Sequence, residues 1–195
     1  MFNPLVFLLL LLSYFLGSIP FGLICSKYSG VDIRKHGSGN IGATNVFRVM
    51  GWKWGVFVFF LDFLKGFLPT FFMVLYYPSF DILHILIGFI AILGHIYTVF
   101  ASFKGGKGVA TAAGMIMALD PIIFLITFVI FIIGFSITRM VAPFSVLCSI
   151  SVPILFYFFK SPKSYFIFVT CISILIIYHH RSNIKRLLKG KENRF

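Results

Sequence analysis

Three short polar segments hold most of the side chains in this sequence that can do chemistry. The first reads Gly37-Ser38-Gly39-Asn40-Ile41-Gly42-Ala43-Thr44-Asn45-Val46-Phe47-Arg48. Its glycines let backbone N–H groups converge, and Ser38, Asn40, Thr44, Asn45 and Arg48 all carry hydrogen-bond donors. Arg48 follows Asn45 by three residues and Thr44 by four, so on one helical turn the three can face the same ligand. The set reads as a phosphate site. An amphipathic connector with glycine turns is the plainer alternative, but a connector has little need for so many small polar residues.

The second segment, Phe103-Lys104-Gly105-Gly106-Lys107-Gly108-Val109-Ala110-Thr111, opens an apolar run. Amides of Gly105, Gly106 and Gly108, the lysines Lys104 and Lys107, and the positive end of a helix would surround an anion. A nucleotide P-loop needs Ser or Thr after its lysine, and here Gly108 follows Lys107. A nucleotide triphosphatase is therefore disfavoured, whereas a bare phosphate cradle is not. In the third segment His180 and Asn183 lie three apart at the end of an apolar run and share a face. Beyond them Ile184, Leu187 and Leu188 recur at helical spacing, the pattern of a short interfacial amphipathic helix whose basic residues meet anionic headgroups. Glu192, alone among cations, is expected to form a salt bridge rather than act as a base.

The missing residues narrow the chemistry further. No pair of carboxylates stands ready for acid/base work, and neither an H-x-x-x-x-D motif, a G-x-S-x-G nucleophile elbow nor a metal-ligand cluster occurs. Cys25, Cys148 and Cys171 lie in apolar runs at no ligand spacing, so neither a disulfide framework nor a zinc site is expected. A site poor in bases and rich in phosphate donors suits a reaction whose electrophile is already activated and whose leaving group is phosphate.

The elements that must position these segments are membrane helices. Hydrophobic residues make up 59% of the chain and charged ones 11%, against about 25% charged in a soluble domain; the mean hydropathy is +1.02. The net charge of +12, from 17 Lys and Arg against 5 Asp and Glu, points in such a chain to sidedness and to anionic lipid or phosphate, not to nucleic acid. Spans are expected at about 4–26, 54–77, 82–102, 109–119, 121–138, 141–159 and 164–180. Met1 to Pro4 carries no basic side chain, which argues against a cleaved signal peptide.

The stretch Val109 to Thr138 is too long for one upright span and too short for two full ones. Leu119-Asp120-Pro121 offers a break, with Asp as a cap and Pro in a first helical turn. Seven spans place fourteen cations on one side, among them Lys27, Arg48, Lys107, Arg139 and the six from Arg181 to Arg194, and two on the other, Lys160 and Lys163. Six spans would divide them nine to seven. The positive-inside rule selects seven. The expected architecture is an all-α polytopic membrane protein, a single domain over 1–195, with the N-terminus outside and the C-terminus cytoplasmic. The short helix 109–119 need not cross fully. Within the membrane Asp62 and Lys65 are expected to pair with each other. His95 sits at the depth of the third span; His84 and His36 look peripheral. Arg139 marks the end of a span, and Ser145, one turn below it, is placed to reach a cavity.

The runs G-S-G-N-I-G-A-T-N-V-x-R, G-H followed by F-K-G-G-K-G-V-A-T, and H-R-x-N-I-x-R-L-x-x-G-x-E resemble the three motifs of the bacterial acylphosphate:glycerol-3-phosphate acyltransferase family. The similarity covers essentially the whole chain, including Asp62-Phe63-Leu64-Lys65-Gly66. It implies an inner-membrane enzyme of seven transmembrane helices, working at the cytoplasmic side and needing no cofactor or metal. Such an enzyme moves a fatty acyl group from acyl-phosphate to the sn-1 hydroxyl of glycerol-3-phosphate, in the first step of phospholipid synthesis. The resemblance assigns Ser38, Arg48, Lys107, His180 and Asn183 to catalysis. Asn40, Thr44, Asn45, Lys104, Gly105, Gly106 and Gly108 fall to substrate and phosphate binding. Membrane lipids are the only other partners expected, with no nucleic acid and no obligate protein partner. A transporter of an organic phosphate is the rival reading, since broken helices and anion-binding loops serve carriers too; the absence of an inverted repeat and the one-sided polar residues weigh against it.

Overall fold

The computed structural model describes residues 4–195, which are helical with no strand among them; the expectation drawn from Met1 to Asn3 lies outside the described residues. The chain opens with α1 (Pro4–Ser18) and α2 (Phe21–Tyr28), which run on as one apolar segment of 25 residues. A polar loop with a single 3₁₀ turn at Ile33–Lys35 leads to the short α3 (Ala43–Met50). Gly51, at a φ of 90° open mainly to glycine, turns the chain directly into α4 (Trp52–Tyr76). Then come α5 (Asp81–Ile96), a 3₁₀ turn at Val99–Ala101, α6 (Val109–Leu119), α7 (Pro121–Thr138), α8 (Ala142–Phe158), α9 (Lys163–His179) and α10 (Arg181–Leu188). The last two meet at a 58° bend.

Each expected span has its helix. Four segments are individually long and apolar enough to cross a membrane, and the bent pair α9–α10 makes a fifth. The helices α6 and α8 are shorter; α6, with 11 residues, rises only about 16 Å. The break before α7 forms as its residues suggest. The Asp120 carboxylate accepts the N–H groups of Ile122 and Ile123, both at 3.0 Å, and Pro121 fills the first turn.

That break decides where the polar segments go. A single helix over 109–138 would carry Arg139 to the far end of the bundle from Lys107. Instead the chain reverses at Asp120, and Arg139 returns to the end where the glycine loop and α3 lie. Its carbonyl accepts the Phe195 N–H at 2.9 Å, while the Phe195 ring lies against Arg48.

With no water in hydrocarbon to drive helices together, close backbone approach and interhelical hydrogen bonds do that work. A Cβ on Gly66 of α4 would collide with the Thr111 carbonyl of α6, and one on Gly114 of α6 with the Phe63 carbonyl of α4. The two helices therefore meet backbone to backbone. Along α1 and α5, which run in the same direction, Ser13 Oγ donates to the Ile87 carbonyl at 2.8 Å and Ser18 Oγ to that of Gly94 at 3.3 Å. Large side chains such as Phe7, Phe60, Leu75 and Ile137 stand exposed around the outside, a surface for lipid.

The buried polar residues sort cleanly. Lys65 Nζ donates to Asp62 Oδ1 at 2.6 Å, the pair expected from their spacing. His84 is not peripheral as expected: it is buried, with the Tyr165 hydroxyl at 2.7 Å from Nδ1 and the Tyr77 carbonyl at 2.7 Å from Nε2. It joins α5 to α9 at the end away from the glycine loop. His36 is exposed, as its position suggested.

Candidate active site

A cavity of about 520 Å³ opens where α3, the start of α6, the turn between α7 and α8, and the end of α9 converge. Ser38, Asn40, Thr44, Arg48, Lys107 and His180 line its polar rim. Below the rim an apolar throat descends between the helices past Phe59, Phe128, Phe131, Ile132, Val152 and Ile172. All five residues expected to be catalytic border this one space, although they come from three segments spread over 145 positions of sequence.

The first segment divides into residues that build the loop and residues that face the cavity. Asn45 belongs to the builders. Its Oδ1 accepts the Ser38 N–H at 2.8 Å, and its Nδ2 donates to the carbonyls of Ile33 at 3.2 Å and His36 at 3.0 Å. Only 1% exposed, its amide is committed to holding the 33–38 loop on α3, so the expected role in binding substrate gives way to a scaffolding one. Asn40 is half committed, since Oδ1 accepts the Gly42 N–H at 2.9 Å and Nδ2 remains a donor. Ser38 and Thr44 are exposed at the rim. The Arg48 Nε is buried without a hydrogen-bond partner, and burial lowers the pKa of the guanidinium.

The glycine loop also departs from expectation. The Gly105 N–H donates to the Ile96 carbonyl at 2.9 Å and the Gly106 N–H to that of His95 at 3.1 Å. Those two amides are spent on the end of α5 and cannot cradle an anion. The two glycines serve closeness instead, because a Cβ on Gly105 would strike the His95 carbonyl and one on Gly106 the His95 ring. The tight loop presents Lys107 and Gly108 to the cavity together with the unbonded N–H groups that open α6. Lys104 points to solvent and does not border the cavity, contrary to expectation.

In the third segment His180 sits at the bend between α9 and α10, 3% exposed, with Nδ1 2.8 Å from the Ile176 carbonyl. That bond requires Nδ1 to carry the proton, leaving Nε2 as the acceptor. Asn183 Oδ1 accepts from Lys107 Nζ, and Asn183 Nδ2 donates to Glu192 Oε1 at 2.8 Å. Glu192 Oε2 accepts from Arg186 Nε at 3.0 Å, the expected salt bridge. Lys107 is thus held by a relay of side chains, and burial, with Arg186 next to it, lowers its pKa to about 8.

Sequence patterns missed several residues that line the cavity. Arg186 reaches it from α10, Glu192 and Phe195 because the segment after α10 folds back over the rim, and Asp62 and His95 approach it from α4 and α5. Ser145 borders it, as its place below Arg139 suggested.

Residues 7–190 match the family described as Glycerol-3-phosphate acyltransferase. The chain is 45% identical over 187 residues to the Glycerol-3-phosphate acyltransferase of Aquifex aeolicus, covering 96% of this chain and 97% of that one. It is 49% identical over 186 residues to the protein of that name from Macrococcus caseolyticus, covering 95% and 94%. Its fold is similar to that of PlsY (YgiH), an integral membrane glycerol 3-phosphate acyltransferase. The crystal structure of the glycerol 3-phosphate form superposes with a TM-score of 0.94 at 44% identity, covering 97% of this chain and 95% of that one. The lysophosphatidic acid form gives a TM-score of 0.91. An integral membrane fold, a cavity with a cationic rim and near full-length identity above 40% lead to one conclusion: this chain belongs to the glycerol-3-phosphate acyltransferase family.

Proposed function

We propose that the protein transfers a fatty acyl group from an acyl-phosphate to the sn-1 hydroxyl of glycerol-3-phosphate. The products are lysophosphatidic acid and inorganic phosphate. The observation that carries this reading is the two-part cavity, a cationic rim continuous with an apolar throat inside the bundle. A donor with a phosphate head and a long acyl tail fits both parts at once. Family membership, and a structural relative described in glycerol 3-phosphate and lysophosphatidic acid forms, support the acceptor and product.

The choice of donor rests on how the acids are used. Among the described residues the two carboxylates lining the cavity are both occupied, Asp62 by Lys65 and Glu192 by Asn183 and Arg186. No free carboxylate remains as a base, so the acyl donor must arrive activated. The acceptor hydroxyl oxygen bonds to the carbonyl carbon, and the carbon–oxygen bond to phosphate breaks with its electron pair leaving on phosphate. The hydroxyl proton passes to a phosphate oxygen. Arg48, Lys107 and the N–H groups opening α6 hold the phosphates and the developing oxyanion. Ser38 and Thr44 at the rim orient glycerol-3-phosphate. His180 Nε2 is the second candidate for the proton, and Asn183 acts chiefly by orienting Lys107.

The protein is read as a single domain in the bacterial cytoplasmic membrane, surrounded by lipid. Its chain crosses seven times, with α6 contributing a shallow crossing, the N-terminus outside and the cavity rim facing the cytoplasm. Purified protein in detergent, with no sealed compartment, is expected to release phosphate from acyl-phosphate only when glycerol-3-phosphate is added. No such release would leave an organic-phosphate transporter as the better reading, and labelled acyl group trapped on Ser38 would overturn direct transfer.

A further inference from the structure

The segment that follows α10 brings to the cavity a residue that lies outside the three motifs. Glu192 pins its middle to Asn183 and Arg186, and the Phe195 N–H anchors it to the Arg139 carbonyl at the turn between α7 and α8. The Phe195 ring then lies edge-on to Phe47 of α3, with centroids 4.7 Å apart, and to Phe135 of α7, 5.8 Å away. Arg48 Cζ stands 4.8 Å from the centroid of the same ring.

This is an unusual way to hold a half-buried guanidinium. Arginine in such a place is ordinarily gripped by a carboxylate in a two-pronged bond. Here no carboxylate pairs with Arg48 among the described residues, and its Nε has no hydrogen-bond partner at all. An aromatic face attracts the cation while occupying none of its N–H groups. A carboxylate would fill those donors and cancel the charge that a phosphate needs.

We propose that Phe195 is a positioning residue of the phosphate site, its ring fixing the plane of the Arg48 guanidinium while leaving the N–H donors free for substrate. The inference rests on the reading above that Arg48 binds a substrate phosphate. The ring sits where rim and throat meet, so it also closes the gap between α3 and the end of α7.

Steady-state kinetics of the full chain in detergent, on Phe195→Leu, Phe195→Tyr and Arg48→Gln, test it. Leucine keeps apolar packing against Phe47 and Phe135 but has no π face; tyrosine keeps both. Phe195→Leu is expected to raise the KM of glycerol-3-phosphate or of acyl-phosphate about three- to tenfold, the factor a cation–π contact supports. Its kcat and thermal midpoint should stay close to wild type, and Phe195→Tyr should restore the KM. Added to Arg48→Gln, which removes the cation, Phe195→Leu should change KM no further. Equal KM values for leucine, tyrosine and wild type, with Arg48→Gln impaired, would sink the role of Phe195 and leave that of Arg48 standing. An unimpaired Arg48→Gln would remove the underlying reading, and the proposal with it. If the leucine variant folds poorly, Phe195→Met provides the same comparison with a more pliant side chain.

Discussion

At the scale of single residues, the cavity rim sets a pH response that begins well below the range in which a lysine ordinarily loses its proton. The Lys107 ammonium, lowered to about 8 by burial and by Arg186, is charged below that pH and neutral above it. Lys107 attracts a phosphate by charge only while protonated, so kcat/KM, which reports the free enzyme, is expected to fall as pH rises through about 8. Lys107→Arg keeps its charge throughout and should move that limb well upward. Lys107 and Arg48 were legible in the sequence because cations beside glycines and small polar residues have few other uses in an apolar chain. The roles of Asn45, Gly105 and Gly106 were not. Their types suit an anion site, and only the structure reveals that the Asn45 amide is saturated by loop backbone and the two glycine N–H groups by α5 carbonyls. A hydrogen-bond donor in a sequence carries no label saying whether it is already spent.

At the scale of elements, hydropathy located the helical part of each apolar run, because a run of apolar residues in lipid has no other way to satisfy its backbone. What it could not supply was the contact between helices. Gly66 looks like an ordinary helix-weakening residue until the Thr111 carbonyl is found against it. The Asp62–Lys65 pair was readable from spacing, and it gives the clearest test of how α4 is built. Both groups are about 2% exposed, so removing one strands the other. Lys65→Met or Asp62→Asn alone is expected to cost about 3–5 kcal/mol of stability, whereas the double variant should recover most of the loss. Thermal melts in detergent report the difference. Single and double variants of equal stability would show the pair to be dispensable. Losses that simply add would place the cost elsewhere, for instance with His95 Nδ1, which lies 3.7 Å from the same carboxylate and has no hydrogen bond.

At the scale of the whole molecule, the distribution of cations and the path of the chain agree on one point, that Arg139 lies at the same end as Lys107 and Arg48. The count of lysines and arginines favoured a reversal within 109–138, and the chain reverses at Asp120, so that Arg139, Lys107 and Arg48 share one end. Lys160 and Lys163 lie one helix beyond α8's start and one before α9's finish, and therefore at the other end. The compartment each end faces follows from the positive-inside rule: the end rich in cations should be cytoplasmic. Cysteine labelling resolves this directly, once Cys25, Cys148 and Cys171 have been replaced to give a silent background. In intact cells a membrane-impermeant thiol reagent should label Lys160→Cys and spare Lys35→Cys and Lys189→Cys; opening the membrane should expose those two. All three positions are exposed at the protein surface, so failure to react reports the barrier and not burial. Labelling of Lys35→Cys and Lys160→Cys from the same side would require an even number of crossings between them and undo the seven-span arrangement. Labelling of Lys35→Cys alone in intact cells would invert it, and would turn the cavity rim away from the compartment that supplies glycerol-3-phosphate.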